Sequence, residues 1–410
     1  MHKSASAALC RVAVIWIDWY PYHVARLRGL LSTPSLGGSV RGIELVGGIG
    51  VHAGLKFREE LPPELPVETL MPDASWGEAN QFTLARLLWR KLSELKPEVV
   101  LVPGYYTLPA LAAALWARMH GAVSVLMTES TAYDHRRSFW KERLKSVALR
   151  ALFEWAVSGG KAHVEYLHQL GFPHDRIVGG YDVIDNDLFR LGTNKLRAES
   201  NPAAHGLPAS PYFLYVGRLA PEKNVATLLQ SWLRYREQGG NWPLVLVGDG
   251  PEADVLRSTA DASPFSAQVY FPGLKSSREL IPFYAFAGCF VLPSSREPWG
   301  LVVNEAMASS LPVLVSDRCG CAPDLVSAGS NGFLFEPADE PALSGLLSRI
   351  AQLSPAERAR MGELSAQIVS GFSPAHFGRS IGWISDVGLS KTRLHSVAVK
   401  APDLTSGGAP

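Results

Sequence analysis

Short apolar runs recur along this chain at positions 12–18, 43–49, 99–103, 123–128, 155–158 and 176–181. They recur again at 213–217, 244–248, 269–273, 289–293, 312–316 and 332–335. Stretches of helical character separate them. A strand covered on both faces reads as an unbroken apolar run, so this pattern predicts parallel sheets flanked by helices. Two such series predict an α/β chain of two doubly wound, Rossmann-like domains. Between them, residues 190–211 are polar, rich in small residues and without period, with Asn201-Pro202-Ala203-Ala204-His205-Gly206 at the centre. That composition reads as a linker. The expected division is a first domain at 1–190, a linker at 191–210 and a second domain at 211–374. A final helix at 375–390 and a disordered tail at 391–410 follow.

Composition adds exclusions. With 410 residues, 47% of them hydrophobic, the chain can build two large cores. Lys plus Arg number 39 against 38 Asp plus Glu, so no charge excess suggests a nucleic-acid partner. No apolar stretch reaches the roughly 18 residues that span a bilayer. The N-terminal run is broken by Arg11 and Asp18 and lacks a small-residue cleavage site. It reads as a buried strand rather than a signal peptide, and a reducing, cytoplasmic setting is the expectation. The cysteines (Cys10, Cys289, Cys319, Cys321) have neither zinc-like nor disulfide-framework spacing, and Cys319-Gly320-Cys321 lacks a second ligand pair.

The candidate chemistry gathers at strand ends in the second half. Tyr215-Val216-Gly217-Arg218 leads through a turn to Glu222-Lys223, so two cations converge at the carboxyl end of a strand, the usual ligand crevice of open α/β sheets. Arginine forks phosphate oxygens and lysine supplies a point charge. Gly248-Asp249-Gly250-Pro251 and Phe271-Pro272-Gly273-Leu274-Lys275 end two further strands with glycines that admit close backbone approach. The run Glu297-Pro298-Trp299-Gly300-Leu301-Val302-Val303-Asn304-Glu305 then sets two carboxylates around a loop and a helix start. Free N–H groups at a helix start suit phosphate, and carboxylates accept from sugar hydroxyls.

In this order the motifs resemble the retaining GT-B glycosyltransferases of family 4, the group 1 glycosyltransferases, strongly over residues 211–340 and loosely before. The resemblance implies a GT-B architecture, two Rossmann-like domains facing a cleft, with the final helix returning to the first domain. It implies transfer of a sugar from a nucleotide-sugar donor to a hydroxyl acceptor with retention of configuration, and no metal or cofactor at the chemical step. By the same resemblance Arg218 and Lys223 neutralise the donor diphosphate. Glu297 engages the donor sugar, Glu305 the ribose, and amides around Trp299, Gly300 and Leu301 hold the donor. Asp185-Asn186-Asp187 has the form of a metal motif but falls where the family chain crosses between domains. A sugar-nucleotide epimerase and a non-catalytic sugar-nucleotide-binding partner are the alternative readings of the same architecture.

The first half departs from the family. Where many members carry a Gly-Gly loop, this chain has Asp18-Trp19-Tyr20-Pro21-Tyr22-His23-Val24-Ala25-Arg26, which offers His23 and Arg26 as acceptor-side candidates. Where many members place a histidine, the strand at 123–128 runs into Glu129, and His135 is the nearest histidine. The acceptor and the oligomeric state are not legible. The basic stretch from His135 to Lys145 continues into a helical pattern whose Trp140, Leu144, Val147 and Ala151 share one face. Such a face suits anionic lipid, an acceptor phosphate or plain solvent alike.

Overall fold

The computed structural model describes residues 11–36, 38–48, 62–132, 139–209 and 211–391. Among these, the first half holds strands β1 (Val12–Trp16), β2 (Val40–Val46), β3 (Val67–Met71), β4 (Val99–Pro103), β5 (Val123–Thr128), β6 (Trp155–Ser158) and β7 (Ile177–Val178). Its helices are α1 (Pro21–Leu31), α2 (Gln81–Leu95), α3 (Leu108–His120), α4 (Phe139–Leu152), α5 (Lys161–Gln169) and α6 (Asn186–Glu199). The second half holds β8 (Phe213–Val216), β9 (Leu244–Val247), β10 (Val269–Gly273), β11 (Cys289–Leu292), β12 (Val313–Ser316) and β13 (Gly332–Phe335). Its helices are α7 (Val225–Glu237), α8 (Ala253–Asp261), α9 (Ile281–Phe286), α10 (Leu301–Ala308), α11 (Ala322–Leu325), α12 (Glu340–Gln352), α13 (Pro355–Ser370) and α14 (Pro374–Lys391).

The strands form two sheets, in the orders β3-β2-β1-β4-β5-β6-β7 and β10-β9-β8-β11-β12-β13. The pairings about the central strands β1 and β8 are parallel. Alternation of side chains explains the unbroken apolar runs. In β1, Val12, Val14 and Trp16 join a core with Leu27 and Leu30 of α1 and Phe377, Ile381 and Ile384 of α14. Ala13 and Ile15 point the other way, into a core with Leu88 and Leu92 of α2 and Ala113 and Ala117 of α3. Strand β1 is buried along its whole length, as are β8, β9, β11 and β12. Each fully buried leucine or isoleucine contributes roughly 2 kcal/mol to these cores. The fold class is that read from the sequence, two parallel-sheet Rossmann-like α/β domains.

Two elements differ from the reading. The stretch 191–199 is not irregular but the second part of α6. Asp185 caps that helix by accepting from the Leu188 amide at 3.1 Å, and Phe189 and Thr193 are buried. Asn194, Lys195, Arg197 and Glu199 dominate the composition there and conceal the helical spacing of the inward positions. Arg197 anchors α6 by donating to the carbonyls of Ala285 and Ser309, each at 2.7 Å. Strand β3 was not anticipated, because Val67-Glu68-Thr69-Leu70-Met71 is an edge strand pairing with β2, with Glu68 exposed and the rest only half-buried. The tail at 392–410 and the first ten residues lie outside the described residues. Among the described residues no helix is long and apolar enough to cross a membrane.

Candidate functional site

Strand order reverses between β8 and β11, where the chain leaves β8 toward β9 on one side and β11 leads to β12 on the other. Such a switch point opens a crevice at the carboxyl ends of the strands. Lys223, in the turn after β8, forms an ion pair with Glu297 in the loop after β11. Ser294 donates its hydroxyl to the same Glu297 Oε2 at 3.2 Å. Only 21% of the lysine and 10% of the glutamate side chain are exposed. Solvent therefore screens this pair less than an ordinary surface ion pair. The Ser295 amide donates to the Glu222 carbonyl at 2.9 Å and ties the two loops together. Arg218 stands at the end of β8, 52% exposed, paired with Glu222 four residues on.

Backbone approaches backbone at these strand ends. Gly248 sits at φ +141°, and a Cβ there would lie 1.9 Å from the Gly217 carbonyl oxygen. Its amide donates to the Gly273 carbonyl at 3.0 Å, so Gly217, Gly248 and Gly273 form one row, with Leu274 half-buried beyond it. Gly250 closes the second turn beside the Leu219 carbonyl. Gly300, at φ +103°, lets the chain turn into α10, whose first residue is Leu301. The start of α10 directs N–H groups and a positive dipole end outward. Behind this loop, the Gly320 amide donates to the Glu297 carbonyl at 2.9 Å and the Cys321 amide to the Trp299 carbonyl at 3.2 Å. Cys319 and Cys321 are buried, and burial pushes both thiols up. The Cys-Gly-Cys turn is therefore a support for the Glu297 loop.

Glu305 is fully buried in α10. Its Oε1 accepts from the Tyr22 hydroxyl at 3.0 Å and its Oε2 from the Tyr284 hydroxyl at 2.7 Å. Burial pushes this carboxyl up to about 7, against the pull of the two tyrosine hydrogen bonds. Tyr22 belongs to α1, so this bond joins the two halves of the chain. Trp299 is 1% exposed and lies on the same seam. Its Nε1 donates to Asn304 Oδ1 at 2.9 Å, and Asn304 Nδ2 donates to the Asp182 carbonyl at 3.3 Å. His163 of α5 contacts the Pro298 carbonyl at 2.9 Å. The loop carrying Glu297 is thus held from the first half as well as the second.

Across the seam, Glu129 follows β5 with 37% of its side chain exposed. Behind it Arg26 is buried, donating to the Tyr181 carbonyl at 2.6 Å and to Asp182 Oδ1 at 3.2 Å, with Glu129 Oε1 at 3.7 Å. Burial first, and the charge of Glu129 second, push the Asp182 carboxyl well above the usual carboxylate range, while Arg26 pulls it back. His23 stacks on Trp16 with ring centres 4.7 Å apart, and its Nδ1 meets the Tyr20 amide and the Asp18 carbonyl, holding the turn into α1. His135 lies outside the described residues. Asp185 and Asp187 serve α6 itself, the first as cap and the second paired with Arg190 at 2.7 Å. Among the described residues no three His, Cys, Asp or Glu side chains gather as a metal site.

Structure therefore brings Arg218, Lys223, Glu297 and the glycine row to one crevice, with Glu305 buried behind it, while Glu129 stands beside Arg26 in the first half. Sequence reasoning missed Tyr22, Tyr284, His163 and Asp182. Only Asp182, an acid between Tyr181 and the apolar pair Val183-Ile184, left a local signal.

Residues 198–367 match the family model described as glycosyl transferases group 1. The chain is 32% identical to the sulfoquinovosyl transferase SQD2 of Arabidopsis thaliana over 46% of this chain and 40% of that protein. It is 26% identical to the alpha-D-kanosaminyltransferase of Streptomyces kanamyceticus over 62% of this chain and 58% of that one. The chain thus spans about half the length of these relatives. Among solved structures, Anabaena HepE in complex with UDP superposes with a TM-score of 0.69 at 17% identity, covering 92% of this chain and all of that one. Sucrose-phosphate synthase from Thermosynechococcus elongatus gives 0.68 at 16% identity over 93% and 99%. The two Rossmann-like domains share the fold of these solved structures, and residues 198–367 are similar to the group 1 glycosyltransferases.

Proposed function

We propose that the chain is a retaining glycosyltransferase that moves a sugar from a nucleotide-sugar donor to a hydroxyl acceptor. One observation carries the reading: Lys223 and Glu297, 74 residues apart in sequence, meet as a shielded ion pair at the switch point of the second sheet. In this reading a donor diphosphate takes the place of Glu297 beside Lys223 and of Glu222 beside Arg218. Glu297 is released to the hydroxyls of the donor sugar. The bond from the anomeric carbon to the diphosphate oxygen breaks, and the leaving group keeps the electron pair. Arg218, Lys223 and the first-turn amides of α10, beside Trp299, Gly300 and Leu301, stabilise that developing charge without a divalent ion. The acceptor oxygen attacks from the same face, its proton passing to a phosphate oxygen, with Glu129 on the acceptor side. Glu305 takes a ribose hydroxyl only by exchanging one of its bonds to Tyr22 and Tyr284 for it. Gly217, Gly248, Gly250, Gly273 and Leu274 line the nucleotide end.

The test is release of nucleoside diphosphate from a panel of nucleotide sugars, with the anomeric configuration of the product read by NMR. Wild type is expected to turn over at least one donor with retention, and Glu297→Ala and Arg218→Ala to lose that turnover. Full activity in both variants would remove the site assignment. An inverted product would remove the retaining mechanism.

A further inference from the structure

Helices α3 and α4 contact one another on one face of the first sheet, and both turn apolar side chains outward. On α4 the inward side carries Leu149, together with Glu142 and Lys145, which bond to each other at 2.8 Å and to Tyr166 at 2.6 Å. On the opposite side Trp140, Leu144 and Val147 stand 75%, 74% and 54% exposed. At 3.6 residues per turn these three form a single stripe. On α3 the inward side carries Ala110, Ala113, Ala114 and Ala117, and the outward side Leu111, Leu115 and Met119, from 36% to 66% exposed. Scattered exposed apolar residues are ordinary, but six concentrated on two touching helices mark an interaction surface.

Charge selects the occupant. Among the described side chains of α4 the exposed charged ones are Arg143 and Arg150, which run along one flank of the apolar stripe, whereas Glu142 is drawn inward by Tyr166 and Lys145. In a two-fold contact with a second copy this patch would meet itself and set like charges together. An anionic bilayer offers acyl chains to the stripe and phosphates to the guanidinium groups at the same time. We propose that the outward face of α3 and α4 docks on an anionic lipid bilayer. Helix α4 lies in the plane of the interface, with Trp140, Leu144 and Val147 below the headgroups and Arg143 and Arg150 among them.

The experiment is co-sedimentation of the full chain with phosphatidylcholine vesicles, with and without equimolar phosphatidylglycerol, at low and high salt. Binding is expected to the mixed vesicles alone and to fall with salt, since screening shortens the reach of surface charge. Leu144→Glu, and separately Arg143→Glu with Arg150→Glu, are expected to weaken it by about tenfold or more. Both sets of changes lie on an exposed helix face, so unchanged thermal melting checks that the fold is intact. Equal binding to both vesicle types, binding to neither, or a Leu144→Glu variant that binds like wild type would overturn the proposal. So would a dimer in light scattering that Leu144→Glu dissolves, which would assign the face to a second copy. No outcome depends on the donor reading, because binding is measured without substrate.

Discussion

Replacing Glu305 by glutamine reports directly on the buried seam between the two halves. Burial carries this carboxyl from its ordinary 4.5 up to about 7. Below 4.5 the group is protonated in the folded and unfolded chain alike and adds no pH dependence. Between 4.5 and 7 the unfolded chain ionises while the folded chain keeps its proton, so stability falls as pH rises. At 1.36 kcal/mol per unit, the full loss is roughly 3 kcal/mol above pH 7. Glutamine never ionises, so it escapes that loss. Its amide presents one acceptor oxygen and one donor to Tyr22 and Tyr284, as the protonated carboxyl does, so the swap is nearly neutral at low pH. Glu305→Gln is therefore expected to match wild type within ~1 kcal/mol at pH 4.5 and to be the more stable protein at pH 8.5 by ~3 kcal/mol. Urea denaturation followed by tryptophan fluorescence across that range reads both. Other titrating groups cancel in the difference between the two proteins. Stability curves that run parallel at all pH values would show that Glu305 is not a buried, proton-holding group, and the seam built on it would fall.

Further outcomes follow from other contacts. Arg26→Leu leaves the buried Tyr181 carbonyl and Asp182 Oδ1 without their donor, and should cost roughly 2–4 kcal/mol by urea denaturation, about 1–3 kcal/mol for each buried acceptor left unpaired. A loss under about 1 kcal/mol would mean the group is solvated. Gly248→Ala should destabilise by roughly 1–3 kcal/mol through its left-handed backbone and the clash with the Gly217 carbonyl, and should weaken nucleotide binding in calorimetry. Unchanged nucleotide affinity would show that the row of strand-end glycines does not shape the site.

The sheets were legible because β1, β8, β9, β11 and β12 are covered on both faces, which leaves their sequences almost wholly apolar, Ser316 of β12 excepted. Strand β3 was not, because an edge strand half-exposed along its length keeps the polarity of a loop. Helix α6 was hidden for a similar reason, its outward positions being numerous and charged. At the site, Arg218, Lys223, Glu297 and the glycines are legible because each follows a readable strand, so topology alone gathers them. Tyr22 and Tyr284 carry no such mark. Their meaning comes from Glu305, reached from two helices 262 residues apart in sequence, and no local spacing encodes that. The stripe of Trp140, Leu144 and Val147 shows the converse limit. Periodicity reveals a face, but only packing decides that Leu149 points in and the stripe points out.

The most direct measurement is calorimetric titration of UDP, GDP and ADP into wild type, Lys223→Ala and Arg218→Ala. The crevice at the ends of β8 and β11 predicts that wild type binds at least one of them. It also predicts that each variant binds it about tenfold or more weakly, as expected when a charge-assisted hydrogen bond to phosphate is lost. Absence of binding to all three, or an affinity untouched by both substitutions, would contradict a diphosphate site at this switch point.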